Sequence, residues 1–176
     1  MKLSKLLLLS ILCVTVFSCS SDDDDNDSAV SAVGIWKLTA INLETPFDLN
    51  MDGTASTNFM AETDCYQNET ILFNADGTGS FNYTSYAEIG IELNMDTNED
   101  PIYTVECIDE IEFDTFNWVQ NGNQITNPDD NDPDSSLTIS GSQIILLLPG
   151  GFYASSPDDD SSVEVTSDIT YIYTKQ

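Results

Sequence analysis

The chain has 176 residues, enough for one domain with a real core. It carries 31 acidic residues against four lysines, with no arginine and no histidine, for a formal charge of −27. That balance excludes nucleic acid as a partner, because phosphate binding needs Lys and Arg, and it excludes enzymes that pair a nucleophile with an imidazole base.

The chain opens with Lys2 and Lys5, then an apolar run at 6–17 of 12 residues. A membrane-spanning helix needs about 20, so the run reads as the core of an export signal. Val16-Phe17-Ser18-Cys19 follows, and this order resembles the bacterial lipobox. The resemblance implies that 1–18 is a lipoprotein signal peptide and that Cys19 becomes the acylated first residue. Buried acyl chain contributes about 0.8 kcal/mol per CH₂, so several chains hold a protein on a bilayer. Ser20-Ser21 and Asp22 to Asp25 come next. They resemble the Ser-plus-acidic export signal of surface lipoproteins of the Bacteroidota, which implies an outer-membrane anchor and display at the cell surface. Residues 19–32 also read as a flexible acidic tether, since like charges repel.

The domain proper is 33–176. Residues 34–43 alternate Ile35, Lys37, Thr39 and Ile41 against Trp36, Leu38, Ala40 and Asn42. Residues 69–74 and 80–87 read as a hairpin around Asp76-Gly77, with Phe81, Tyr83 and Ser85 on one face. Strands are further expected at 102–107, 111–119, 124–126, 136–140, 143–148 and 163–174. Pro149-Gly150-Gly151 is expected to end the run before it. One or two helical turns are expected at 57–65. Short strands with frequent turn signals predict an all-β, antiparallel domain, and a barrel of eight or nine strands would remove exposed edges. Most strand aromatics, among them Tyr83, Tyr86, Tyr103, Phe113, Phe116, Trp118, Tyr171 and Tyr173, are expected in the core.

Four cysteines are present; with Cys13 in the export segment and Cys19 lipidated, Cys65 and Cys107 remain. Export leads to an oxidising compartment, so these two are expected to pair. Two thiols without histidine fall short of a structural zinc site.

Asp48, Asn50 and Asp52 occupy the first, third and fifth positions of an EF-hand-type loop, with Gly53 sixth and Ser56 ninth. The Thr54 carbonyl would be the seventh. The twelfth position is Phe59 rather than Glu. Glu62 lies three residues on and would supply the carboxylate if the chain coils near Thr57; Asp64 is a further candidate. Two readings stand here: a calcium loop, and an Asp/Asn/Gly turn that binds nothing. The acidic runs at 96–100, 130–134 and 158–160 lack the glycine and read as solvated loops.

Gly34-x-Trp36, Cys65, Ile71-Leu72-Phe73-x-x-Asp76-Gly77-Thr78-Gly79, Cys107 and Trp118 fall in an order that resembles the lipocalin-like lipoprotein domains of the Bacteroidota. The resemblance covers 34–175. It implies an up-and-down β-barrel with an apolar interior, whose Trp plugs the closed end. Lipocalins often stack an Arg on that Trp; this chain has none, and Lys175 is the partial substitute. The implied function is a monomeric, lipid-anchored envelope protein that binds a small apolar or amphipathic ligand, without nucleic acid and without catalysis. The alternative is a non-catalytic surface module stiffened by calcium. With 31 acids, carboxylate pairs fall at every spacing and identify no hydrolase site.

Overall fold

The computed structural model describes residues 30–92, 102–130, 136–155 and 164–176. The signal segment, Cys19, residues 19–29 of the tether, and the acidic stretches at 96–100, 131–134 and 158–160 lie outside the described residues.

Ten strands form one sheet: β1 (Gly34–Phe47), β2 (Ser56–Asn58), β3 (Thr70–Phe73), β4 (Thr78–Glu92), β5 (Ile102–Asn117), β6 (Val119–Asn121), β7 (Gln124–Thr126), β8 (Leu137–Ser140), β9 (Gln143–Ser155) and β10 (Glu164–Lys175). The order is β5-β4-β3-β1-β10-β9-β8-β7-β6, with β2 beside β1. Apart from one parallel bridge, Gly90 to Ser155 between β4 and β9, the pairings are antiparallel. The hydrogen-bonded path is open, ending at β5 and β6, and Trp118 alone separates those two strands in sequence. Its backbone N–H donates to Gly77 O at 2.8 Å and its indole N–H to Thr78 O at 2.8 Å, tying this corner to the β3–β4 turn.

Three bulges let long strands curl over one core. In β1 the register slips between Leu38 and Ala40. Thr39 therefore leaves the alternation, and its hydroxyl donates to Ile172 O at 3.1 Å. The slip moves Ile41 and Leu43 to the buried side occupied by Trp36 and Leu38, whereas strict alternation grouped Ile41 with the exposed Ile35. In β4 the slip lies between Tyr83 and Ser85, opposite Glu112 and Asp109. This bulge joins the two strands expected at 102–107 and 111–119 into one. In β9 it falls at 149–151, opposite Asp168. Pro149 was expected to stop that strand. Instead, Gly150 turns at φ +63° and gives its N–H to Asp168 Oδ1 at 2.8 Å, so the strand runs on to Ser155.

The expected helix at 57–65 is one 3-10 turn, Phe59–Ala61, preceded by β2. Asn58 caps it, its side chain accepting the Met60 N–H. The β3–β4 hairpin matches the sequence expectation. Asp76 Oδ1 takes both the N–H and hydroxyl of Thr78, and Gly77 sits at φ +86°. Gly79 is required by closeness: a Cβ there would meet the Phe116 ring and lie 2.9 Å from Leu72 O.

The core is one cluster that includes Trp36, Leu38, Ile71, Phe73, Ile125 and Ile144 at one end and Phe47, Leu49, Ile91 and Phe152 at the other. Phe113 and Ile111 turn outward, 64% and 82% exposed, so this stripe of β5 departs from the core assignment. Phe116 and Trp118 on the opposite face pack inward.

Candidate functional site

Several half-open cavities lie beside the core, and Tyr66 lines three of them. The residue has φ +64°, a left-handed backbone that costs a bulky L-residue free energy and persists only under restraint. The restraints are specific. Cys65 is disulfide-bonded to Cys107, with Cα atoms 5.5 Å apart, as the cysteine arithmetic led one to expect. The Tyr66 N–H donates to Ser85 Oγ at 2.8 Å, and its hydroxyl oxygen accepts the Ala87 N–H at 3.0 Å. Phe59 packs edge-on against the ring at 5.9 Å.

Glu69 lies beneath it, 2% exposed. A buried carboxylate needs donors to offset desolvation. The stretch of β4 opposite the β5 bulge supplies most of them: Thr84 N–H, Thr84 hydroxyl and Ser85 N–H all reach Oε1, at 3.0, 2.7 and 3.1 Å, while Asn68 N–H reaches Oε2 at 3.0 Å. Glu69 thereby continues the sheet pairing where β3 stops.

A cavity of about 360 Å³ is lined by Tyr66, Tyr83, Ser85, Tyr86, Glu110 and Glu112. A second, of about 160 Å³, shares Tyr66 and Tyr83 and is walled by Leu38, Phe81, Leu146, Leu148, Tyr171 and Tyr173, with Glu69. A third, of about 180 Å³, shares Phe81, Leu146 and Leu148 and extends toward Phe116, Trp118 and Ile125. Aromatic contacts order this wall: Tyr83 stacks on Phe81 at 5.7 Å, Phe81 meets Phe116 at 4.8 Å, and Phe73 meets both Phe116 and Trp118.

The phenols here hold their protons. Burial pushes the Tyr171 phenol up to about 12, helped by the neighbouring Tyr66 and Tyr83. Burial raises Tyr173 further, and Tyr66 is raised chiefly by burial, against the lowering bond from Ala87. At the mouth, Tyr83 is raised by burial and by Asp114 and Glu112, and Tyr86 by desolvation and by Glu88, Glu110 and Glu112. At neutral pH the hollow thus presents neutral rings and hydroxyls beneath a negative rim.

One end is sealed. Trp36 is fully buried, its indole N–H donating to Ala32 O at 2.7 Å. Lys175 lies over the ring, Nζ 5.1 Å from the centroid, and donates to Ser31 O at 2.8 Å. Gly34, at φ +132°, leaves room for the Lys175 stem, which would stand 3.4 Å from a Cβ there. This is the contact for which the sequence reading offered Lys175 as a partial substitute for an Arg.

The Asp48 loop is a separate exposed feature. Asp48 Oδ1 and Oδ2 accept the N–H groups of Asp52 and Gly53, at 3.0 and 2.9 Å. Asn50 Oδ1 accepts Asp52 N–H at 2.9 Å, and Asp52 Oδ1 accepts Thr54 N–H at 2.8 Å. Glu62 does swing back, buried, with Oε2 on the Leu49 N–H at 3.1 Å. It reaches the first turn of the loop but not a common centre: among the described residues no three acidic, cysteine or histidine side chains are grouped to hold a metal ion. As arranged, the oxygens of Asp48, Asn50, Asp52 and Glu62 serve the loop's own backbone, and the set does not fit a preformed calcium site.

Tyr66 and Glu69 were not singled out by the sequence. Tyr66 follows a cysteine with no pattern of its own, and Glu69 reads as the first residue of a strand. Among the described residues no helix is long and apolar enough to cross a membrane. No family model, no curated protein and no solved structure matches this chain.

Proposed function

We propose that this chain is a lipid-anchored protein of the bacterial envelope, exposed at the surface, whose lipocalin-like barrel binds a small apolar or amphipathic ligand. The lipobox at Cys19 and the acidic run after it support the anchor. The barrel reading takes support from Trp118, which links β5 to β6 where hydrogen bonding stops, and from the β4–β9 bridge at Gly90. One observation carries the ligand: a hollow of aromatic and aliphatic walls lies above a floor packed by Trp36. Apolar walls with a few placed polar groups are the usual make-up of a small-molecule site. The protein acts without catalysis, as a monomer.

A neutral, environment-sensitive probe, N-phenyl-1-naphthylamine, tests it with the purified full-length chain. Saturable enhancement at one probe per chain is expected. No enhancement, together with no competition by any alkyl compound, would remove the ligand reading. The anchor is tested separately by mass spectrometry: Cys19→Ala is expected to lose the acyl mass and leave the membrane fraction.

The second reading, a calcium-stiffened surface module, rests on Glu62 returning to the Asp48 loop. It requires the loop oxygens to exchange amide donors for an ion. An unchanged thermal midpoint at millimolar calcium would dismiss it.

A further inference from the structure

We infer that the hollow selects organic cations that carry an apolar chain, with the charged head held at the mouth by Tyr66, Tyr83 and Tyr86 and the chain lying along Leu38, Leu146 and Leu148. This rests on the ligand reading above and narrows it.

Three features of the mouth point the same way. Three phenol rings border one cavity, and a ring face attracts a cation through its quadrupole. Two carboxylates, Glu110 and Glu112 of β5, stand on the same cavity. The β4–β5 bulge sets this arrangement, since it turns β5 out of regular alternation between Glu112 and Asp109, opposite Tyr83 and Ser85. The first ring is also fixed before any ligand arrives, because Tyr66 is pinned at its N–H, its hydroxyl and its disulfide-bonded neighbour. A cage that is already ordered loses less entropy on binding.

The same groups disfavour an anionic head. The mouth and the wall below it carry Glu110, Glu112 and Glu69, and among the described residues no lysine lines either cavity. Among the described residues the lysines are Lys37 and Lys175, both at the Trp36 end of β1 and β10, and Lys175 is committed to that ring. A fatty acid or alkyl sulfate would therefore enter with an unpaired negative head beside carboxylates. The charge of −27 adds a general attraction for cations, but that attraction is long-range and screened by salt, whereas ring contacts are not.

The experiment is displacement of N-phenyl-1-naphthylamine from the full-length chain at physiological salt. Three competitors share one tail: dodecyltrimethylammonium and dodecyl sulfate, each below its micellar concentration, and neutral dodecanol below its solubility limit. The cation is expected to bind roughly tenfold more tightly than the alcohol, with the sulfate weakest. Tyr86→Leu removes a 40%-exposed ring without changing charge, so folding is preserved. It should cut the cation's affinity about fivefold and the neutral probe's by less, so that the ratio of the two affinities falls. If the cation binds no better than the alcohol while both displace the probe, selectivity is refuted and the ligand hollow stands. If Tyr86→Leu has no effect and only Glu110→Gln with Glu112→Gln weakens the cation, surface charge is acting alone and the cage is refuted. If neither probe nor competitor binds, both readings fall together.

Discussion

Around Trp36 the interior is filled: Phe73, Ile71 and Ile144 are buried against it, and Lys175 covers the ring from outside. Around Tyr66 the residues are as aromatic, yet cavities remain and a carboxylate lies among them. The contrast lies in how each ring is held. Trp36 is held by packing, which follows from burying apolar surface. Tyr66 is held by hydrogen bonds and a disulfide at its neighbour, which keep the ring in place, at a left-handed backbone, without neighbours filling the space beside it. The first arrangement stabilises the domain; the second keeps room inside it.

The contrast predicts unequal costs. Trp36→Ala should be the most damaging single change, destabilising the domain by about 3–5 kcal/mol, because it empties a fully packed position. Tyr83→Leu, at the hollow, should cost less than about 1.5 kcal/mol. Denaturant unfolding of both variants checks this. Equal losses would mean that the hollow is packed as tightly as the floor.

Removing the disulfide by Cys65→Ser with Cys107→Ser comes next. The bridge closes a separation of 42 residues, and its loss should cost about 2–4 kcal/mol. It should also weaken N-phenyl-1-naphthylamine binding, since Tyr66 loses its fixed neighbour. Lower stability with unaltered probe affinity would show that the disulfide serves the fold alone.

Glu69→Gln should cost about 1–3 kcal/mol. Both carboxylate oxygens accept N–H donors, so whichever way the amide turns, its NH₂ faces a donor. An unchanged denaturation midpoint would mean that Glu69 is not the partner of this stretch of β4. Trp36→Ala should spare these bonds in whatever fraction remains folded, which separates the two ends further.

Much of this architecture was readable from local signals. Asp76-Gly77 marked the β3–β4 hairpin because its turn chemistry lies within four residues. Elimination alone brought Cys65 and Cys107 together. The sequence also singled out Trp36 and its contact with Lys175. What could not be read depends on register. One bulge at Thr39 returned Ile41 to the interior, and another at 149–151 carried β9 past Pro149 and two glycines. The site has the same origin. Glu69 matters because two amides of β4, fifteen residues or more away, turn toward it, and Tyr66 because Ser85 and Ala87 of β4 hold it. No window of sequence contains both sides of these contacts. The Asp48 loop is the converse case: its spacing was legible, but the oxygens close on their own backbone.

The smallest effect at neutral pH is expected from the phenol hydroxyls, and it becomes measurable only in alkali. Tyr171 is raised to about 12 and Tyr173 further, whereas both titrate near 10 in the unfolded chain. Between these values the unfolded chain has released protons that the folded chain retains, so stability must fall as pH rises. The contribution is complete below pH ~10 and is lost as pH climbs through the folded values. Tyr171→Phe keeps the ring and should change stability at neutral pH by no more than about 0.5 kcal/mol. Between pH ~10 and ~12 its denaturation midpoint should decline less steeply than that of the unmodified chain. Parallel declines would mean that the Tyr171 hydroxyl is as well solvated as in the unfolded chain, and that the hollow is wet at its base. A shallower decline would mark it as dry, the condition under which an apolar chain gains by entering.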